Sequence, residues 1–233
     1  MRVDKEPWTD KRVRQALAFT IDRDKLVQAL FQGKAAPGND HIFSPAFGVP
    51  VRVPKRTQNY SKAKHLLDAA GHGGGLQVTL TTENYLEIPQ LVTIVKQMAK
   101  PAGIDIKLEI EDQGKYYGSG KNQPWLDVPL GLVDWGNRPV PSPYINLAYR
   151  CGAIWNSAHW CNRQFSRLAI QLDATVDESK RSQIATRMAK IQQDATPAII
   201  PYWIPRLRAI SKRVHGVKAD PSGNLDLSRA SIG

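Results

Sequence analysis

Two stretches of strict alternation with a helical pattern between them constrain this chain more than any other feature. Leu76, Val78 and Leu80 occupy every second position of Leu76–Thr82, and Ile104, Ile106, Leu108 and Ile110 do the same further on. Successive side chains of a strand point to opposite faces, so each stretch predicts a half-buried strand. Between them Pro89 suits the first turn of a helix, and Leu91, Ile94, Val95 and Met98 recur at helical spacing. Strand, helix and strand within about 30 residues make a βαβ unit, whose strands run parallel through a right-handed crossover. The apolar run Leu126–Val133 reads as a third strand. Open sheets of this kind take ligands at the carboxyl ends of their strands. Here those ends fall near Thr82–Tyr85, Asp112–Tyr117 and Val133–Arg138.

The flanking segments are mostly helical. Thr9 or Asp10 caps a helix carrying Val13, Ala16 and Leu17, and Asp22 caps one carrying Leu26, Val27, Leu30 and Phe31 that stops at Gly33. Residues 34–59 hold four prolines and read as a long ordered loop. Ser61 is expected to cap a helix over Lys62–Ala70, ended by Gly71, with Gly73-Gly74-Gly75 as a joint before the first strand. Phe165, Leu168, Ala169 and Leu172 predict a further amphipathic helix; Ile184, Met188 and Ile191 predict another, halted by Pro197. Ile199–Ile204 reads as a buried strand, with Leu207–Ser211 as its partner and a turn at Asp220–Asn224. The fold class is therefore α/β, a partly parallel, mixed sheet flanked by helices.

Composition removes several alternatives. The chain has 233 residues, 42% of them apolar and 23% charged, which suits a folded core of one or two domains and excludes a disordered chain. No run approaches the ~18–20 apolar residues of a membrane-spanning helix. The net charge of +11 invites a nucleic-acid reading, but the cations are dispersed and no basic run of five occurs. Residues 67–150 even carry more acids than bases, 9 against 7. The histidines His41, His65, His72, His159 and His215 are scattered, and neither a catalytic triad, a metal cluster nor a phosphate-binding glycine loop is visible, so no enzyme, metal or cofactor is implied. Cys151 and Cys161 bracket nine residues and permit a disulfide; free thiols, or a site completed by His159, are the alternatives. Met1-Arg2 leads directly into Asp4, Lys5 and Glu6, without the apolar stretch of a signal peptide.

Seven segments, in order, resemble the family-5 extracellular solute-binding proteins, the dipeptide- and oligopeptide-binding receptors of bacterial ABC importers. They are Pro7–Leu17 with Ile21-Asp22-Arg23, Gly33–Pro37, Tyr60–Gly71, Ala102–Ile106, Trp155-Asn156 with Phe165–Asp173, Pro197–Pro201, and His215-Gly216-Val217. The resemblance runs from about residue 7 to 228. It implies a periplasmic-binding-protein-like lobe, the second of two, with the first lobe and a secretion signal absent from this chain. Residues 1–213 would form the ligand-binding lobe, and residues 214–233 a return segment that packs on the missing lobe. The implied function is capture of a peptide or related small solute between two lobes in the periplasm, followed by delivery to an ABC transporter permease. A receptor for an opine or sugar acid, or a basic nucleic-acid-binding domain, are the alternatives.

Within that resemblance Asp134-Trp135-Gly136-Asn137-Arg138-Pro139 is the most informative segment. Peptide-binding relatives place an Asp three residues after the Trp, to pair with the peptide α-ammonium. Here that position is Arg138, which repels an ammonium and pairs with a carboxylate or phosphate. An anionic group near Arg138 is the expectation; a structural role in the loop is the alternative, and Asp134 either neutralises Arg138 or replaces the absent Asp. Trp135 is expected to stack on ligand, with Asn137 beside it. Asn84 and Tyr85 follow the first strand, and Trp203 lies on a strand whose alternation sends Tyr202 to the other face. Trp155 and Trp160 sit in the cysteine loop and are expected to serve structural packing, and Tyr116–Gly120 to form a mobile loop.

Overall fold

The computed structural model describes residues 1–204, 209–219 and 224–233. In chain order the elements are α1 (Lys11–Thr20), α2 (Arg23–Phe31), β1 (Ala36–Pro37), α3 (Tyr60–Ala69), β2 (Leu76–Glu83), α4 (Ile88–Ala99), β3 (Ile104–Glu111), α5 (Gln113–Tyr117), α6 (Pro124–Asp127), β4 (Gly131–Leu132) and α7 (Ser142–Tyr144). A π-helical turn over Ile145–Tyr149 continues α7, and then come α8 (Arg163–Ala174), α9 (Glu178–Ala195) and β5 (Tyr202–Trp203). Four short strands close the chain: β6 (Val214–His215), β7 (Lys218–Ala219), β8 (Leu225–Asp226) and β9 (Ser231–Ile232).

β2 is the central strand of a parallel sheet in the order β3-β2-β4. Leu76 faces Ile104 and Glu83 faces Glu111, so β2 and β3 pair along their full length, with α4 between them in sequence. This is the βαβ unit that the alternation predicts. The antiparallel pairings stand apart in two-stranded sheets, β1 with β5, β6 with β9, and β7 with β8.

Three apolar clusters form the core among the described residues, two of them large. In one, Leu80, Ile104 and Ile106 pack with Val92 of α4, Ala63 and Leu67 of α3, and Val13 and Leu17 of α1. Burying each of the larger aliphatic side chains contributes about 1.5–3 kcal/mol. In the other, Phe165, Leu168 and Leu172 of α8 meet Ala185 and Met188 of α9, with Ile42, Phe43 and Trp160. The long 34–59 loop is tied between them. Asp40, fully buried, accepts with both carboxylate oxygens from Arg23 Nη2 at 2.7 Å and with one of them from Arg56 Nη1 at 2.8 Å, and it takes the Ile200 N–H at 3.1 Å. Gly38 sits where β1 passes β5, and a Cβ there would lie 1.9 Å from the Ile200 carbonyl oxygen, so only glycine fits.

The structure corrects several expectations. Leu126–Val133 is not a strand throughout: Pro124 starts the one-turn α6, and only Gly131 and Leu132 pair, with Thr81 and Thr82. Proline favours a helix start and withholds the N–H a ladder needs, and Pro129 withholds another. Ile199–Ile204 is likewise reduced to the half-buried Tyr202–Trp203, paired with β1 away from the main sheet, because Pro201 interrupts it. Asn59, not Ser61, caps α3, its side chain accepting from the Lys62 N–H. Tyr116 and Tyr117 lie in α5 rather than in a loop, and Tyr116 is fully buried. Asp22 caps α2 as expected, and of the two candidates for α1 it is Asp10, not Thr9, that caps it. The pairing of Leu207–Ser211 and the turn at Asp220–Asn224 rest on residues 205–208 and 220–223, outside the described residues. No described helix is long and apolar enough to cross a membrane.

Candidate ligand-binding site

The carboxyl ends of β2, β3 and β4 lead into one region. Glu83, the last residue of β2, is fully buried. Its carboxylate accepts from Gln113 Nε2 at 2.7 Å and from the Tyr117 hydroxyl at 2.6 Å, which fastens α5 to the end of β2. Burial, then the hydrogen bond to Glu83, pushes the Tyr117 phenol well above its usual range. Tyr116 packs edge-on against Tyr117, 5.5 Å between ring centres, and its hydroxyl would lie 2.7 Å from a Cβ on Gly131. Glycine at the start of β4 therefore lets α5 close onto the sheet.

Two more carboxylates share this region. Burial, and then the charges of Glu83 and Glu87, hold the Asp134 carboxyl above the usual carboxylate range. Glu87 accepts from the Tyr202 hydroxyl at 3.0 Å, and burial followed by Glu87 raises the Tyr202 phenol. Among the described residues none of the three acids has a Lys, Arg or His partner. Three carboxylates sharing a site without a counter-ion create a negative potential that a bound cation relieves.

Beside the acids runs a continuous aromatic wall. Tyr117 meets Trp125 at 5.7 Å, Trp125 meets Trp155 at 6.5 Å, and Trp155 meets Trp135 at 5.9 Å. Trp135 meets Tyr144 at 5.5 Å, and Tyr144 meets Trp203 at 6.4 Å; Phe47 touches both of the latter pair, at 6.0 and 6.1 Å. Aromatic contacts of this kind, edge-on or tilted, each hold about 0.5–1.5 kcal/mol beyond burial. Trp155 is 38% exposed, so the wall is open to solvent at its middle.

The candidate residues distribute unevenly over this site. Trp135 and Trp203 lie in the aromatic wall and Asp134 in the acidic cluster. The Arg138 N–H donates to the Tyr144 hydroxyl at 3.1 Å, and its guanidinium donates to the Asn137 carbonyl at 3.0 Å. It makes no ion pair among the described residues, so Asp134 does not neutralise it there. Asn84 and Tyr85 stand exposed where β2 leaves the sheet, without a ring or side-chain hydrogen-bond contact to the wall among the described residues. Cys151 and Cys161 form a disulfide, which leaves neither sulfur available to a metal site with His159.

The two tryptophans of the cysteine loop pack on different neighbours: Trp155 projects into the wall between Trp125 and Trp135, whereas Trp160 is buried against Phe165. Trp125, Tyr144, Phe47, Glu83 and Glu87 escape sequence reasoning. Glu83 had a usable signal, a carboxylate ending an alternating strand; Phe47 had none, because its loop has no period.

Comparison with known proteins gives this geometry a family. Residues 1–156 match the model of bacterial extracellular solute-binding proteins, family 5 middle. The chain is 25% identical over 239 residues to a dipeptide-binding protein of Escherichia coli, covering 99% of this chain and 44% of that protein. It is 26% identical over 215 residues to a glutathione-binding protein of Shigella flexneri, covering 88% of this chain and 41% of that one. The fold superposes on HbpA2 from Haemophilus parasuis with a TM-score of 0.82 at 21% identity, covering all of this chain and 47% of the other. The chain thus spans less than half the length of the relatives it matches. With two thirds of its residues inside the family model and the parallel βαβ sheet in place, this chain belongs to the bacterial extracellular solute-binding proteins of family 5.

Proposed function

We propose that residues 1–213 are the ligand-binding lobe of a two-lobe receptor that captures a small peptide in the periplasm and delivers it to an ABC transporter permease. Residues 214–233 then return to the first lobe. The observation behind the peptide reading is the juxtaposition, on one aromatic wall, of opposite charges that have no ion-pair partner among the described residues. Asp134, Glu83 and Glu87 attract the peptide's ammonium, Arg138 offers its guanidinium to a carboxylate, and the wall from Tyr117 to Trp203 accepts side chains between them. Two relatives are named for binding a dipeptide and glutathione, both peptides that carry an ammonium and a carboxylate. An opine or sugar acid would use Arg138 but meet three carboxylates elsewhere, and nucleic acid would bring phosphates to the same acids, so neither suits the site as well.

Hinge closure explains how such a site works. A lobe alone offers one wall, and affinity comes from contacts made only when the second wall shuts on the solute. The test is a thermal-shift screen of the protein carrying both lobes, using free, N-acetylated and C-amidated dipeptides. Free dipeptides should raise the midpoint, since a ligand of the folded state stabilises it. Each blocked end should weaken the effect, and Arg138→Ala should erase discrimination against C-amidation alone. A panel in which no dipeptide moves the midpoint would reject the reading. The coding sequence upstream of Met1 tests the lobe assignment directly.

A further inference from the structure

The cysteine loop does two mechanical jobs in its two halves. Its C-terminal half is anchored by packing: Ala158 and Trp160 are buried, Trp160 lies edge-on to Phe165 at 5.1 Å, and the Asn156 side chain clasps both the N–H and the carbonyl of Trp160. Its N-terminal half is exposed at Gly152 and Ile154, and its backbone is held by the Ala153 N–H to the Arg150 carbonyl and the Trp155 N–H to the Leu147 carbonyl. That half ends in Trp155, the ring that joins Trp125 to Trp135 in the wall. At its base Cys151 is bonded to Cys161, which is itself exposed and directly precedes the α8 cap Asn162.

We infer that the Cys151–Cys161 disulfide is a redox latch for the aromatic wall, holding Trp155 against Trp125 and Trp135 until a dithiol reductant opens it. A thiolate of the dithiol attacks the sulfur of Cys161, an exposed residue, and displaces the Cys151 thiolate, which takes up a proton. The reductant's second thiolate then attacks the mixed disulfide and releases Cys161, which is protonated in turn. Two electrons and two protons pass to the protein, and the dithiol leaves as a cyclic disulfide. The packed half stays on α8, while the half bearing Trp155 loses the disulfide and is left on hydrogen bonds, among them the Cys151 N–H to the Ser166 hydroxyl of α8, so that the wall opens at its middle. The latch itself is a property of this chain; that its opening weakens solute capture rests on the function proposed above.

The experiment is a dithiothreitol titration of the full chain, with thiols counted chemically and the tryptophan environment followed by near-ultraviolet circular dichroism and fluorescence. Release of two thiols should accompany a change in the tryptophan signals while the far-ultraviolet spectrum keeps its helical shape. Cys151→Ser with Cys161→Ser should show the reduced signal without reductant, and Trp155→Phe should abolish the change. A disulfide that resists dithiothreitol in the folded chain, two thiols with unaltered tryptophan signals, or loss of the far-ultraviolet spectrum on reduction would each overturn the latch. In the protein carrying both lobes, reduction should weaken dipeptide binding about tenfold, near 1.4 kcal/mol. A wall that opens without that loss leaves the latch standing and counts against the proposed site instead.

Discussion

Asp40 accepts hydrogen bonds from Arg23 and Arg56, and all three side chains are buried. Removing the carboxylate leaves two guanidiniums without their counter-charge, so Asp40→Ala should cost about 3–5 kcal/mol, read as a fall in the urea midpoint. Asp40 has a φ of 55°, a conformation asparagine tolerates, so Asp40→Asn isolates the charge from the backbone effect. Asp134 and Asp4 make opposite predictions in acid. The folded pKa of Asp134 is raised by burial and by Glu83 and Glu87, so its contribution to stability is present below the unfolded value and lost as pH rises through the folded one. Asp134→Asn should therefore raise the thermal midpoint at neutral pH, with the gain vanishing below about pH 4. Such a gain at the expense of binding is the usual mark of a functional carboxylate. The hydrogen bond from Arg2 lowers the Asp4 pKa to about 2. Its contribution is present above the unfolded value and disappears as pH falls through that range, so Asp4→Asn should flatten the acid limb of the stability curve.

Among the elements, the five-residue α5 has too few internal hydrogen bonds to persist alone. Glu83 and the burial of Tyr116 hold it on the sheet. Glu83→Ala leaves the Tyr117 hydroxyl and the Gln113 amide without their acceptor and should cost about 1–3 kcal/mol. Faster proteolysis between β3 and β4 is the measurement, and an unchanged cleavage rate would show that burial of Tyr116 suffices. The same element explains why sequence periodicity stops being informative there. An alternating strand declares itself over β2 and β3, but a single turn has no period, and α6 and β4 are too short to leave one. Proline at 124 and 129 was the available clue to the loss of a longer strand.

At the scale of the whole molecule, apolar side chains remain uncovered. Leu86 is 71% exposed beyond β2, and Leu225, Leu227 and Ile232 are exposed in the closing segment, whose strands pair with one another and not with β2, β3 or β4. If a first lobe covers them, this chain alone should bind a hydrophobic dye more strongly, per residue, than the protein carrying both lobes. Equal dye binding would mean that these surfaces face solvent in both. The sequence by itself determined the βαβ unit, the helix cap at Asp22 and the family, and narrowed the α1 cap to Thr9 or Asp10, because period, cap chemistry and ordered motifs are local and survive without coordinates. It also located the acidic middle third of a basic chain, the segment that supplies Glu83, Glu87 and Asp134. Only the tertiary structure decided that Trp155 projects onto Trp125 and Trp135, that Phe47 and Trp203 meet over Tyr144, and that Arg138 has no carboxylate partner among the described residues. Those groups are separated by tens of residues, and no local pattern encodes a contact whose distance is set by how a sheet, its loops and a disulfide pack together.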